Sequence, residues 1–340
     1  MKLLFDYRVL THKNYTGVEN YAHNILINLK NKIDVVIFKP LFFNRYFSNL
    51  YSLIVPMFKK GDIIFYPTMF APLFKVGNKK VITTIHDIAF ITQSTTLSKE
   101  FQLYYKYSIK RIIEKADNII TVSNFSKSEI EENYPQSIGK IKVIYLGTST
   151  IFKRIDNIEK KKQILYVGSL NERKNFLGVL KAFELLNTQN YKLIIVGNFF
   201  DTYKLSKEVQ ENLKKARNNP NIEFKHGVSN EELVRIYNES KLFLFPSFYE
   251  GFGLPVLEAM SCGTPVICSN TSSLPEVGGD AVVYCNPYDT NDIKNKIELV
   301  LNDENLQKEM INNGLERAKL FSWEKSANEH IKIFKKILKS

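Results

Sequence analysis

Cysteine is scarce and tryptophan nearly absent: the 340 residues hold three Cys (Cys262, Cys268, Cys285) and one Trp. An odd set without metal-type spacing excludes a disulfide framework and a zinc site, and suits small buried side chains in a reducing compartment. No apolar run approaches the roughly 20 residues that span a bilayer. The opening MKLLFDYRVL places Asp6 and Arg8 where a secretory signal would need an apolar core, so a signal is not expected. No Asp-x-Asp triplet occurs, which argues against a metal-bridged diphosphate. No Gly-x-Gly-x-x-Gly turn follows the first strand of either half, which disfavours a dinucleotide cofactor. An aromatic-basic RNA-binding signature is also lacking, so nucleic acid is not an expected partner.

Acidic residues are in deficit, and unevenly so. Residues 1–150 hold 20 Lys and Arg against 11 Asp and Glu, nine of the twelve net positive charges. A basic first half points to an anionic partner. What is present in quantity is hydrophobic and charged in ordinary proportion, 44% and 24%, the profile of a folded globular chain long enough for two domains.

Short apolar runs alternate with helix-length amphipathic stretches. In the first half the strand candidates are KLLF, DVVIF, DIIFY, KVITTIH, NIITV and KIKVIY, with helices predicted over Val18–Leu29, Glu100–Ala116 and Lys127–Asn133. The polar, Lys-rich stretch Lys153–Gln163 reads as the divide, and the alternation restarts with ILYVG, KLIIVG, IEFKHG, LFLFP, TPVICS and AVVYC. Strand–helix–strand repetition predicts parallel sheets covered on both faces. The expected architecture is α/β, two doubly wound Rossmann-like domains facing a central cleft: residues 1–152, residues 153–322, and a C-terminal helix over 323–340 that packs back on the first. Ligands in such sheets bind beyond the carboxyl ends of strands.

The densest chemistry lies in FPSFYEGFGLPVLEAMSCGTPV, Phe245–Val266. A helix starting near Leu254 has Pro255 in its first turn, where a missing N–H costs little, and Gly263 placed to end it. Its free N–H groups and the Gly251-Phe252-Gly253 backbone suit an anion or sugar hydroxyls. Glu250 and Glu258 can accept from hydroxyls on either side of that turn. Arg173 and Lys174, just before Asn175 as N-cap of a helix Phe176–Leu186, are two adjacent cations suited to a diphosphate. His86 ends a strand beside Asp87. Ser123 either lines a binding site or caps the helix that follows it.

Glu250 and Glu258, with seven residues between them in EGFGLPVLE, resemble the E-x(7)-E motif of retaining glycosyltransferases of the GT-B fold, family 4, of the bacterial surface-polysaccharide type. DYRVLTHKNYTGVENYAHNIL, TTIHDIAF, ADNIITVSNFSKSEI, VGSLNERKNFLGVLKAF and SLPEVGGDA resemble further blocks of that family in the right order, nearly end to end. The resemblance implies a hexosyltransferase that uses a GDP- or UDP-linked sugar, mannose-like, needs no metal or cofactor, and adds to a saccharide or lipid-linked acceptor. It further implies Glu258 on the ribose, Glu250 on the transferred sugar, and Arg173 with Lys174 on the diphosphate. Ser169, Val228, Gly251, Phe252, Gly253 and Leu254 become further donor contacts, His86 faces the donor sugar, and Gly17 approaches donor or acceptor. Thr16 and Ser123 fall on the acceptor side. Two departures stand out: Ser169 replaces an arginine common in relatives, and Thr16 replaces a glycine. A sugar-nucleotide epimerase or a phosphorylase on the same fold is the rival enzyme, and a glycan-binding protein the non-catalytic rival. Residues Phe38–Lys60, mixing aromatics with Lys39, Arg45, Lys59 and Lys60, suit an anionic membrane surface or an ordinary packed helix, so the chain is expected in the cytoplasm, with or without peripheral attachment.

Overall fold

Twelve strands form two all-parallel six-stranded sheets in the computed structural model, which describes residues 1–11, 17–39, 54–69, 71, 77–92, 99–186, 190–197 and 207–339. Each of the twelve predicted apolar runs carries one strand. The first sheet has order β2-β1-β3-β4-β5-β6, from β1 (Lys2–Asp6), β2 (Asp34–Phe38), β3 (Ile63–Tyr66), β4 (Lys80–Thr84), β5 (Asn118–Thr121) and β6 (Ile141–Val143). The second has order β12-β11-β10-β7-β8-β9, from β7 (Lys161–Val167), β8 (Lys192–Val196), β9 (Ile222–Lys225), β10 (Ser240–Phe245), β11 (Val266–Ser269) and β12 (Val283–Cys285). The central strands are buried along nearly their whole length, as in IIFY of β3 and SKLFLF of β10. A strand covered by helices on both faces must be apolar at every position, which is why these runs do not alternate.

In each sheet the strand order reverses once, between β1 and β3 in the first and between β7 and β10 in the second. Connections leave such a point in opposite directions, so the loops beyond it part and leave room for a ligand. The loops after β7 and β10 are the two stretches that carry Arg173–Lys174 and Glu250–Gly253.

The chain groups into two units, Met1–Gly147 with Ser322–Ser340, and Thr148–Phe321. The second unit begins before the Lys-rich stretch because Phe152 already packs edge-on against Tyr237, and Asn238 bonds the backbone of Lys153 and Ile155. The last helix, Trp323–Ile337, lies in the first unit against the helix Gly17–Lys30. No helix among the described residues is long and apolar enough to cross a membrane. Of the segment Phe38–Lys60, residues 40–53 lie outside the described residues, as does Thr16.

Candidate active site

The site is built where β7 and β10 lie side by side. Beyond β7 the chain makes a short 3-10 turn, Glu172–Lys174, capped by Asn171, whose side chain accepts from the Lys174 N–H at 3.0 Å. Asn175 follows with φ 52° and caps the helix Phe176–Glu184 by accepting from the Gly178 N–H at 3.1 Å. The expected N-cap is therefore in place, and the helix closes two residues before Leu186. Two successive asparagine caps hold Arg173 and Lys174 between them, so both cations emerge from a short, tightly bonded turn.

Beyond β10, the loop Pro246–Gly253 comes back against that turn. The Phe248 N–H donates to the Arg173 carbonyl at 3.0 Å, and Arg173 Nη1 donates to the Tyr249 carbonyl at 2.9 Å. Glu250, only 6% exposed, receives Lys174 Nζ at 2.5 Å and Ser247 Oγ at 2.6 Å on one oxygen. Arg173 Nη1 stands 3.7 Å from its other oxygen. Burial by itself would push the Glu250 carboxyl up, but Lys174, Arg173 and the Ser247 hydroxyl outweigh it and hold it below the ordinary value, so Glu250 is ionised. Lys174 also lies over the Phe245 ring at 5.1 Å, a cation–π contact that adds to its hold.

The glycine turn is pinned from β11. Ser273 Oγ reaches the Glu250 and Phe252 carbonyls at 2.8 and 2.7 Å, and Ser269 Oγ donates to the Ser247 carbonyl. Gly253 has φ 118°, and a Cβ there would meet Leu274 at 2.6 Å, so only glycine serves. It precedes the helix Leu254–Ser261, which begins without any side-chain cap; Pro255 has no N–H and the Val256 N–H turns back to the Gly253 carbonyl, so the Leu254 N–H is the first-turn donor that faces outward along the helix axis. Gly263 ends that helix with φ 66°, the position expected of it.

Glu258 lies one turn into this helix, half-buried, with Tyr237 Oη donating to it at 3.2 Å. Burial outweighs that hydrogen bond and pushes the carboxyl up to about 8. The folded chain thus binds a proton between the ordinary 4.5 and about 8 that the unfolded chain releases. Stability falls as pH rises through that window. Melting curves from pH 5 to 9 should show this decline, and Glu258→Gln should flatten it; an equal slope in both proteins would refute the raised pKa.

Ser169 lies in the loop after β7, with its hydroxyl accepting from Asn171 at 3.0 Å and its carbonyl from Tyr166 Oη at 3.1 Å. Val228 follows Gly227 at the carboxyl end of β9, two strands from β7 on the same edge of the sheet.

The remaining candidates belong to the first unit. His86 follows β4, with Nε2 3.2 Å from the Pro67 carbonyl and its ring edge-on to Tyr21 at 4.7 Å. Burial outweighs the Pro67 contact and the nearby Asp87 and Glu19, and lowers its pKa. A neutral ring that donates from Nε2 presents Nδ1 as an acceptor. Gly17 opens the helix that carries Tyr21 and is exposed. Ser123 is buried and accepts from the Ser126 N–H at 3.0 Å, the capping alternative of the two readings. Ser247, Ser273, Tyr237 and Asn171 had no sequence signal of their own; each is an ordinary polar residue until the strand ends bring it to Glu250, the glycine turn, Glu258 or Lys174.

A buried carboxylate bridged to two cations, at the reversal point of a doubly wound sheet and beside an uncapped helix start, is chemistry for a charged leaving group. Comparison with known proteins identifies the family. Residues 148–317 match the family described as glycosyl transferases group 1, and residues 31–151 match Glycosyltransferase Family 4. The O-antigen chain mannosyltransferase B of Escherichia coli is 35% identical over 272 residues, covering 76% of this chain and 70% of the relative. The serotype-specific mannosyltransferase WbdA of Escherichia coli is 29% identical over 77% of this chain, which spans only 34% of that longer protein. Among solved structures, sucrose-phosphate synthase from Thermosynechococcus elongatus superposes with TM-score 0.80 at 20% identity, over 99% of this chain and 98% of the other. Anabaena HepE in complex with UDP and glucose gives 0.76 at 17%, over 98% and 99%. With both family matches in chain order and the fold shared end to end, this chain belongs to the glycosyl transferases group 1 family and is a glycosyltransferase of the GT-B fold.

Proposed function

We propose that the chain transfers a mannose-like hexose from a nucleoside diphosphate sugar, with retention at the anomeric carbon, to a saccharide acceptor in the assembly of a cell-surface polysaccharide. The observation that carries this reading is the Lys174–Glu250–Arg173 cluster beside the uncapped Leu254–Ser261 helix. Arg173 and Lys174 take the diphosphate and offset the charge that develops as it leaves, and such electrostatic stabilisation is usually the main source of rate acceleration. Glu250 orients both cations and accepts from hydroxyls of the transferred sugar. The backbone of Gly251, Phe252, Gly253 and Leu254 contacts sugar and phosphate, and Ser169 and Val228 add to the donor side. Glu258 holds the ribose, with its carboxyl able to donate as well as accept while protonated. His86 offers Nδ1 to a sugar hydroxyl, and Gly17 and Thr16 serve donor and acceptor approach. The acceptor hydroxyl attacks from the face the diphosphate leaves, and the departing phosphate takes its proton.

The names of the relatives support mannose and O-antigen-type assembly. The neighbour in complex with UDP and glucose supports a nucleoside diphosphate sugar as donor, GDP- or UDP-linked. A metal is not required on this reading. Melting curves with GDP, UDP, ADP, CMP and NAD, with and without EDTA, test it. At 100 times its Kd one nucleoside diphosphate should add about 2.7 kcal/mol of stability, unchanged by EDTA. A response to NAD alone, or to no diphosphate, would overturn it.

A lipid-linked acceptor calls for proximity to a membrane, and the first unit carries a suitable surface. Phe58 is 82% exposed and Met57 46%, beside Lys59, Lys60 and Lys79, around an open pocket of about 630 Å³ that Leu338 also lines. An exposed aromatic among lysines suits anionic headgroups, at about 1 kcal/mol per basic residue. Co-sedimentation with phosphatidylglycerol vesicles should be salt-sensitive and should fall with Phe58→Ser/Lys59→Ser/Lys60→Ser. Equal sedimentation of parent and variant would remove this surface from the account.

A further inference from the structure

Two buried polar groups in the first unit have no part in the mechanism above, yet they are bonded to each other across 309 residues of sequence. His330, fully buried on the last helix, places Nδ1 2.7 Å from the Ser326 carbonyl and Nε2 2.8 Å from Tyr21 Oη. Tyr21, also fully buried, places the same oxygen 2.8 Å from Thr84 Oγ1 at the carboxyl end of β4. His86 lies two residues beyond Thr84, and the Tyr21 ring meets its imidazole edge-on at 90°.

The protons in this chain have only one consistent order. A carbonyl can only accept, so His330 carries its proton on Nδ1 and donates to Ser326. Burial pushes the His330 pKa down to about 4, so the ring is neutral and Nε2 is bare. Tyr21 therefore donates its single proton to His330, and its oxygen accepts from the Thr84 hydroxyl. Every polar atom in the chain is used, in an interior where a broken link would leave a buried group unpaired. Phe65 and Phe334 close on His330, with ring centroids at 5.5 and 6.0 Å.

Such a chain constrains more than it stabilises. It fixes the Tyr21 ring at its far end, and that ring is one wall of the His86 imidazole. The opposite constraint on His86 is its bond to Pro67. Between them, the plane of the imidazole and the direction of Nδ1 are set. We propose that Tyr21 and His330 are positioning residues for His86, so that the last helix of the chain, through one directed hydrogen-bond chain, aims the Nδ1 acceptor that the transfer reaction uses. The inference rests on the role given to His86 under the proposed function.

The test is a double-mutant cycle in the full chain, with GDP-mannose turnover as the activity and ring-labelled histidine NMR as a readout that needs no substrate. Tyr21→Phe keeps the ring and removes only the oxygen. It should lower kcat about tenfold, as a misdirected group does, with KM for the donor within about twofold. In a His86→Ala background the same change should cost nothing further, because the group it positions is gone. His330→Gln, which keeps an acceptor near Nε2, should recover most of the activity that His330→Phe loses. The parent should show a single Nε2–H tautomer for His86, and Tyr21→Phe a mixture. Equal losses in both backgrounds, or an unchanged His86 spectrum in Tyr21→Phe, would overturn the positioning role and leave the His86 assignment intact. Normal turnover by His86→Ala would instead sink the assignment itself, and the proposal with it.

Discussion

Lys174→Ala should lower kcat by about 10²–10³, the cost of removing one preorganised donor from a developing negative charge. It should also destabilise the fold, because Lys174 does two jobs. Its side chain is 13% exposed, and its ammonium stands 2.5 Å from the carboxylate of Glu250, whose side chain is 8% exposed, so the variant leaves a buried charge with a weaker set of partners. Breaking such a pair costs about 3–5 kcal/mol, and the surviving Arg173 and Ser247 contacts place this case near the lower bound. The pH dependence separates the two effects. In the parent, Glu250 ionises below its ordinary 4.5, so the stability it contributes is present above that value and is lost as pH falls through the folded-state pKa. Without Lys174 that contribution shrinks or reverses, and the gap in melting temperature between variant and parent should narrow on acidification. A constant gap from pH 4 to 8, or turnover within tenfold of the parent, would show that Lys174 is not the partner described. Arg173→Ala should cost kcat more than tenfold as well, with less loss of stability, since its side chain is 34% exposed and 3.7 Å from Glu250.

Gly197→Ala should be nearly as damaging, although residue 197 carries no chemistry. It follows the last residue of β8, and a Cβ there would fall inside the contact distance of the carbonyl oxygen of Gly168, which follows the last residue of neighbouring β7. Backbone on both sides leaves no flexible side chain to yield, so the strands must part at the head of the loop that carries Ser169, Arg173 and Lys174. Overpacking of this kind costs about 1–3 kcal/mol, and a displacement of about 1 Å at the cations can cost 10²-fold in rate. Gly168→Ala is the matched control: its Cβ would sit 3.4 Å from Tyr166 Oη, an ordinary contact. Its melting temperature should stay close to the parent's while that of Gly197→Ala falls. Equal behaviour of the two would mean that close approach of β7 and β8 is not what requires glycine at 197.

Much of the site was legible because its residues are close in sequence. Glu250, the glycine turn and Glu258 occupy nine consecutive positions, and a strand, a proline and a glycine mark where the helix begins and ends. The Arg173–Lys174 pair was readable for the same reason, with Asn175 as its cap. What could not be read was the bond between the two stretches. Arg173 and Glu250 are 77 positions apart, and a cation pair expected to wait for a diphosphate is already held by Glu250. Ser123 shows the opposite limit: its two sequence readings, cap or ligand contact, differ only in which way a hydroxyl points, and burial against the Ser126 N–H gives the cap.

By itself the sequence determined the parallel sheets, the positions of all twelve strands and the start of the Leu254–Ser261 helix, because each rests on local patterning: continuous apolar runs, caps, and glycine or proline where backbone angles demand them. Only the tertiary structure decided which strands are neighbours, and therefore that the loops after β7 and β10 converge. Strand order depends on crossover connections between residues far apart in the chain, and no local pattern encodes it. The same holds for His330, which sequence places only on the terminal helix and the fold places in a dry core beside Tyr21, where burial holds it neutral and a hydrogen bond gives it a direction.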